Sequence, residues 1–222
     1  KEKKSINYRI AVHNNNPILM SIINKAMGAM TNAEYEEIAK KWLKKVDGKN
    51  QYNINLTDAE KEWLANNPII KTVAGHDNAP SSFINSEGKI DGIAGDYLNE
   101  IGNRLNVKFI WAANDSWNDG LEKLLSSEAD IAIGASSTPR REKFLTFSSM
   151  FMSNDTAIYS RADGMRFASL ESLRGYTVVQ VAGTANIDYL KEFYPDINII
   201  EVDTLVDAIL ILSKGGADAM TS

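Results

Sequence analysis

From Ile69 onward, short β-branched apolar runs alternate with segments whose apolar residues recur every three or four positions. This alternation restricts the fold more than any other feature of the 222 residues. The strand-like runs are Ile69 to Val73, Val107 to Trp111, Ile131 to Ile133, Thr177 to Val181 and Asn198 to Val202. Between them lie helical patterns at Tyr97, Leu98, Ile101 and Leu105, at Leu121 to Leu125, at Asn186 to Phe193 and at Leu205 to Leu212. Strands joined through helices return parallel, and the helices cover both faces of the sheet. Two such series, meeting near Phe151 to Ala157, predict an α/β chain of two lobes with a hinge and a cleft. Ligands of open α/β sheets sit at the carboxyl ends of the strands, which here face that cleft.

The first 45 residues read as a unit of their own. Tyr8 to Val12 alternates as a strand and stops at Asn14-Asn15-Asn16-Pro17. Ile18, Leu19, Ile22, Ile23, Ala26, Met27 and Met30 then follow a helical period, and Thr31 with Glu34 forms a capping-box pattern opening a second helix through Trp42-Leu43. Core packing is the expected use of these methionines and of Trp42. Lys44 to Gln51 is polar and aperiodic and reads as a linker. Thr57 with Glu60 marks the next helix start, ahead of Trp63-Leu64 and a stop at Asn67-Pro68. The turn expected at Asp77 to Pro80 separates the first strand of the series from the helix at Tyr97 to Leu105.

Composition excludes several functions. Net charge is −5 and the basic residues are scattered, which argues against a nucleic-acid footprint. With no cysteine and only His13 and His76, disulfides, thiolate metal sites and a histidine triad are not expected, and neither is a cofactor. No run is long and apolar enough to span a bilayer. Lys1 to Asn7 lacks an apolar region behind it, so no signal peptide is expected, although an excised extracytoplasmic fragment would look the same.

The stretch from Ile131 to Ser148 concentrates binding chemistry. A buried-strand run ends in the small, hydroxyl-rich loop Gly134 to Thr138, and two arginines follow at once. Small residues let a ligand approach the backbone, hydroxyls offer neutral hydrogen bonds, and arginine offers a planar fork for a carboxylate. The order suits a small anionic or zwitterionic molecule. Read from the residues alone, Arg141 is either that fork or a helix-start arginine paired with a surface acid. Gly134 and Ser136 are either ligand contacts or a tight turn, and Trp117 is either a ligand wall or core. Gly183-Thr184-Ala185 opens a helix whose free N–H groups and dipole favour an anion, or Thr184 is simply its N-cap. Asp77 binds ligand or shapes the turn, and Asn78 stands beside it.

Several ordered motifs add to this reading. They are Ala79-Pro80 with Phe83, Gly88, Gly92-Ile93-x-x-Asp96, Trp117 to Leu125 before Asp130-Ile131, and Thr138-x-x-Arg141 leading to Phe147-Ser148. Leu173-Arg174-Gly175, Gly183-Thr184 and Gly215-x-x-Asp218-Ala219 complete the set. From about Ile69 to Ser222 the chain therefore resembles the family 3 extracellular solute-binding proteins, with the two-lobed type II periplasmic binding, or Venus-flytrap, fold. Tyr8 to Val12, the Asn16-Pro17 helix start and Lys40-Lys41-Trp42 look like the last segment of such a domain. Leu56-Thr57-x-x-Glu60-x-x-Trp63-Leu64 with Asn67-Pro68 looks like the entry to a second. That junction resembles sensor histidine kinases carrying tandem domains outside the membrane. The resemblance divides the chain into a strand–helix–helix ending (1–45), a linker (46–56), a first lobe (57–152) and a second lobe cut short at its end (153–222). The first segment is expected either to complete the fold, within one molecule or swapped between two, or to pack as a detached remnant.

The resemblance also implies roles. Arg141 grips a ligand carboxylate, Gly134 and Ser136 offer a carbonyl and a hydroxyl to an ammonium or amide, and Trp117 stacks on the ligand. Asn78 and Ser81 stand where many relatives carry aromatics, so one aromatic wall is expected to be missing. The acid that binds an α-ammonium would fall beyond Ser222. The expected function is a periplasmic sensing domain of a membrane-anchored histidine kinase that binds an amino acid or other carboxylate and is not itself an enzyme. A transport receptor, a cyclohexadienyl dehydratase-like enzyme and a sensor that closes without ligand remain as alternatives.

Overall fold

Within Ser5–His13 the successive residues Ile10, Ala11 and Val12 are all buried, so both faces of the strand are covered there, as in a central strand and not an edge. The computed structural model describes residues 5–43, 54–75 and 77–222; the linker expected at Lys44 to Gln51, the side chain of Trp42 and His76 lie outside the described residues. In chain order, β1 (Ser5–His13) leads through α1 (Pro17–Gly28), α2 (Asn32–Leu43) and α3 (Asp58–Asn66) to β2 (Ile69–Val73). Three short strands, β3 (Asp77–Asn78), β4 (Ser82–Ile84) and β5 (Ile90–Asp91), precede α4 (Gly92–Leu105), β6 (Lys108–Trp111), α5 (Trp117–Leu125) and β7 (Ile131–Ala135). A 3-10 turn over Arg141–Lys143 enters β8 (Leu145–Phe147) and β9 (Met152–Asp155). The remainder is β10 (Ile158–Tyr159), β11 (Thr177–Val181), α6 (Ala185–Phe193), β12 (Asn198–Val202), α7 (Leu205–Ser213) and β13 (Ala219–Thr221).

The first lobe is a sheet of order β6-β2-β7-β1-β8, with β9 also paired to β1. β2 runs parallel to β6 and β7, while β1 is antiparallel to β7, β8 and β9. On β1, Ile10 and Val12 point into the larger core with α1 and α4, and Ala11 into a smaller one under α5. α1 is capped by Asn16, whose side chain accepts from Leu19 N, and it begins on Pro17, whose missing N–H costs nothing there. It buries Leu19, Met20, Ile22, Ile23, Ala26 and Met27, each large aliphatic worth roughly 1.5–3 kcal/mol. In the second lobe, the sheet β10-β13-β11-β12 has α6-side and α7-side cores on its two faces.

Two expectations need adjusting. The turn at Asp77 to Pro80 is tighter: Asp77–Asn78 pairs with Ser82 and Phe83, and the turn is a cis Ala79–Pro80. Arg141 starts a single 3-10 turn, not a helix, and Thr138 Oγ1 accepts from its N–H at 3.3 Å.

Two buried charges tie residues 5–43 to the rest of the lobe. Arg104, on α4, donates to Ala29 O at 2.8 Å and to the carboxylates of Glu34 and Glu100. Glu60 closes the capping box of α3 and also accepts from Ser21 Oγ at 2.6 Å and Lys25 Nζ at 2.7 Å. These bonds, led by Lys25, hold its carboxyl down at about 2. A depressed carboxylate adds stability above its unfolded value and loses it as pH falls toward its folded one. Stability is therefore expected to fall between about pH 4.5 and 2 through this group. Glu60→Gln should lower stability at neutral pH by about 1–3 kcal/mol, the range for charge-assisted hydrogen bonds, and flatten that acid limb. Urea melts at pH 7 and pH 3 test this; an unchanged slope would remove Glu60 from the account.

Candidate functional site

β7 carries a buried aliphatic run to the lobe boundary and ends in small residues, so the following loop lies at the carboxyl edge of the first sheet. Gly134 has φ +81°, a conformation that favours glycine, and the Tyr8 ring lies over it. The loop then turns back, and Arg141 points inward with 4% exposure. Its Nη1 donates to Ser136 O at 2.7 Å, its Nη2 donates to Gly183 O of the second lobe, and its Nε lies 3.8 Å from Asp188 Oδ2. Burial pushes the guanidinium below its ordinary value; Asp188 opposes the shift and Arg140 adds to it. It remains a cation, since arginine does not deprotonate in proteins.

The second lobe meets this loop with the start of α6. Gly183 has φ +72° and sits against Asn118, where an added Cβ would come within 3.1 Å of Oδ1 and 3.3 Å of Cα. Thr184 does not cap the helix with its side chain; its hydroxyl donates to Val181 O at 2.9 Å instead. The Gly183 carbonyl accepts from Arg141 across the cleft. The first helical amides, of Ala185 and Asn186, have no acceptor within α6.

Between the lobes lies a cavity of about 180 Å³, enough for a small organic molecule. Arg141, Ser136, Gly134, Thr184, Ala185, Trp117, Asp77 and Asn78 all line it, and Gly183 borders it through Arg141. Asp77 and Asn78 are exposed. Trp117 is both wall and core: it lines the cavity and packs on the cluster under α5. Arg140, expected to face solvent, has a 77% exposed side chain but reaches Asp188 Oδ1 at 3.1 Å.

Several lining residues escaped sequence reasoning. Tyr8 reaches the cavity from β1, and burial raises its phenol despite hydrogen bonds with Asn154 and Asn78. Phe151 adds an aromatic wall, so Tyr8, Phe151 and Trp117 all bring rings to the cavity even though Asn78 and Ser81 bring none. Gln180 and Asn186 are tied to Thr221, and all three line the floor. Gln180 and Thr221 alternate with core residues on their strands, a weak signal; nothing local marks Tyr8 as anything but core. Among the described residues no cluster of His, Asp or Glu side chains is gathered to hold a metal.

The model of the bacterial extracellular solute-binding proteins, family 3, matches residues 70–214. The chain belongs to this family. Its two-lobed α/β fold is that of its solved relatives. The periplasmic VFT2 domain of Bordetella pertussis BvgS aligns with a TM-score of 0.65 at 28% identity, over 76% of this chain and 72% of that one. An arginine-bound variant of ArgBP from T. maritima aligns with a TM-score of 0.64 at 26% identity, over 73% and 76%. Among curated sequences, the virulence sensor protein BvgS of Bordetella bronchiseptica is 26% identical over 210 residues, 94% of this chain. The sensor protein EvgS of Escherichia coli K12 is 26% identical over 210 residues, 92% of this chain. The chain spans 17% of the length of each of these two sensors. This family 3 member is thus a sensor or solute-binding domain, related to periplasmic domains. No helix among its described residues is long and apolar enough to cross a membrane.

Proposed function

We propose that this is the extracytoplasmic ligand-sensing domain of a membrane-anchored two-component sensor histidine kinase, and that its interlobe cavity binds a small carboxylate-bearing solute such as an amino acid. The observation that carries the reading is the buried guanidinium of Arg141, at the meeting line of two lobes in a chain related along most of its length to sensor proteins. In this reading Arg141 takes the carboxylate, with the first amides of α6 beside Thr184 and Ala185 sharing the charge. Ser136 and the Gly134 carbonyl face an ammonium or amide, Trp117 forms a wall, and Asp77 and Asn78 stand at the mouth. Ligand differentially stabilises the closed lobe arrangement, and that population shift is the signal; catalysis belongs to the parent chain. In this reading residues 5–43, from the segment 1–45, complete the first lobe (57–152) beside the second (153–222), and exchange of that segment between two copies would make a dimer.

Thermal shift against amino acids, dicarboxylates and polyamines tests the ligand class. A carboxylate at about 100 times its Kd should add about 2.7 kcal/mol of stability. A response to polyamines alone would reject the carboxylate assignment. The likeness to arginine-bound ArgBP favours a transport receptor as the second reading, which sequence encoding a membrane span and kinase beyond this chain would exclude.

A further inference from the structure

Asp188 sits on α6, in the second lobe, with its side chain 14% exposed, and both of its oxygens face the first lobe. Oδ2 accepts from Thr138 Oγ1 at 3.1 Å and lies 3.8 Å from Arg141 Nε; Oδ1 accepts from Arg140 Nη1 at 3.1 Å. The Arg140 bond is weak because that side chain is largely in water. Thr138 and Arg141 are buried, and there the same contacts count for more. The Thr138 hydroxyl is fully used: its oxygen accepts from Arg141 N–H while its proton goes to Asp188. Arg141 is thereby held on three sides, by Ser136 O from its own lobe and by Gly183 O and Asp188 from the other. Gly183 packs closely on Asn118, which would have to shift to admit a side chain between them.

We infer that Asp188 is a positioning residue: it orients the Thr138–Arg141 loop and, by joining it to α6, holds the two lobes together without any ligand. Each of these contacts between the lobes joins two protein groups. A carboxylate entering the cavity must share Arg141 with Asp188 and the Gly183 carbonyl, so Asp188 sets both the resting closure and the affinity of the site. The affinity consequence rests on the sensing role proposed above; the closure does not.

The sequence contains no cysteine, so spin labels can be attached at Asn103→Cys in the first lobe and Glu192→Cys in the second. Electron–electron distances are measured without ligand in four backgrounds: wild type, Asp188→Asn, Thr138→Val and Thr138→Ser. Wild type and Thr138→Ser should give mainly the short distance, with a minor longer-distance population that ligand would reduce further. Asp188→Asn and Thr138→Val should raise a longer-distance population about tenfold or more, the ratio expected for losing a charge-assisted bond. Circular dichroism verifies that each variant is folded, and the two variants approach the contact from opposite lobes, so one failing to fold leaves the other as the test. A change below twofold in the folded variants overturns the inference, as does opening in Thr138→Ser equal to that in Thr138→Val. A protein that responds to none of the carboxylates yet opens on Asp188→Asn keeps the latch and rejects the ligand class.

Discussion

Arg141→Ala is expected to cut the ligand-dependent stabilisation to about a third or less and to lower the stability of the free protein as well. The side chain supplies a cationic fork to the cavity and donates to Ser136 O and Gly183 O. Alanine leaves both carbonyls without that donor. A buried acceptor left unpaired costs about 1–3 kcal/mol; Ser136 and Gly183 are half-buried, so a total loss of about 2–3 kcal/mol is expected. That is a large share of the roughly 5–15 kcal/mol that holds a domain folded. Removing one partner of a buried charged pair typically costs 2–5 kcal/mol of binding, so affinity for a carboxylate should drop at least about 30-fold. Arg141→Lys separates charge from geometry: it keeps the cation but cannot span two carbonyls from one planar group. It should recover stability only in part. Calorimetric titration and denaturant melts on the three proteins decide the matter. Ligand binding by Arg141→Ala within threefold of wild type would remove Arg141 from the site.

Gly92→Ala should be among the most damaging single-methyl additions in the chain, for reasons that begin in the backbone. Gly92 has φ +89°, where a side chain is strained by about 1–2 kcal/mol. An added Cβ would lie 2.6 Å from Pro80 O and 3.2 Å from Ser81 C and O. These are main-chain atoms already engaged with the start of α4: Ile93 N donates to Pro80 O at 3.0 Å and Ala94 N to Ser81 O at 2.9 Å. Neither partner can yield without breaking those bonds, and overpacking of this kind costs a further ~1–3 kcal/mol. A loss of about 2–5 kcal/mol is expected in urea melts. Ala94 and Ser81 also line the cavity, so ligand response should weaken alongside stability. A loss under about 1 kcal/mol would mean that the start of α4 moves freely relative to the Pro80 turn.

The two variants differ in how far their causes lie from the mutated residue, and this also separates what was legible in the chain from what was not. The capping boxes Thr31–Glu34 and Thr57–Glu60 and the helical stripe of α1 depend on residues three or four apart, and they form as read. The same holds for the buried run that puts Gly134 and Ser136 at the end of a strand, and for Gly183 just before a helix. Local chemistry decides such features because hydrogen-bond geometry and side-chain period act over one or two turns.

Strand order is another matter. Nothing within Ser5–His13 says that it inserts between β7 and β8, more than a hundred residues away, since a buried strand reads alike wherever it pairs. Tyr8 looks like core for that reason and becomes a cavity wall only through its place in the sheet. The use of the Gly183 carbonyl follows from the position of Arg141 across the cleft. Asp188 carries no motif at all, and its meaning arises when the lobes bring it to Thr138, Arg140 and Arg141. Periodicity and capping settle each element and aim its polar residues at the cleft. Which groups then face one another is decided by long-range packing, because a contact between lobes depends on the arrangement of both and is written in neither segment.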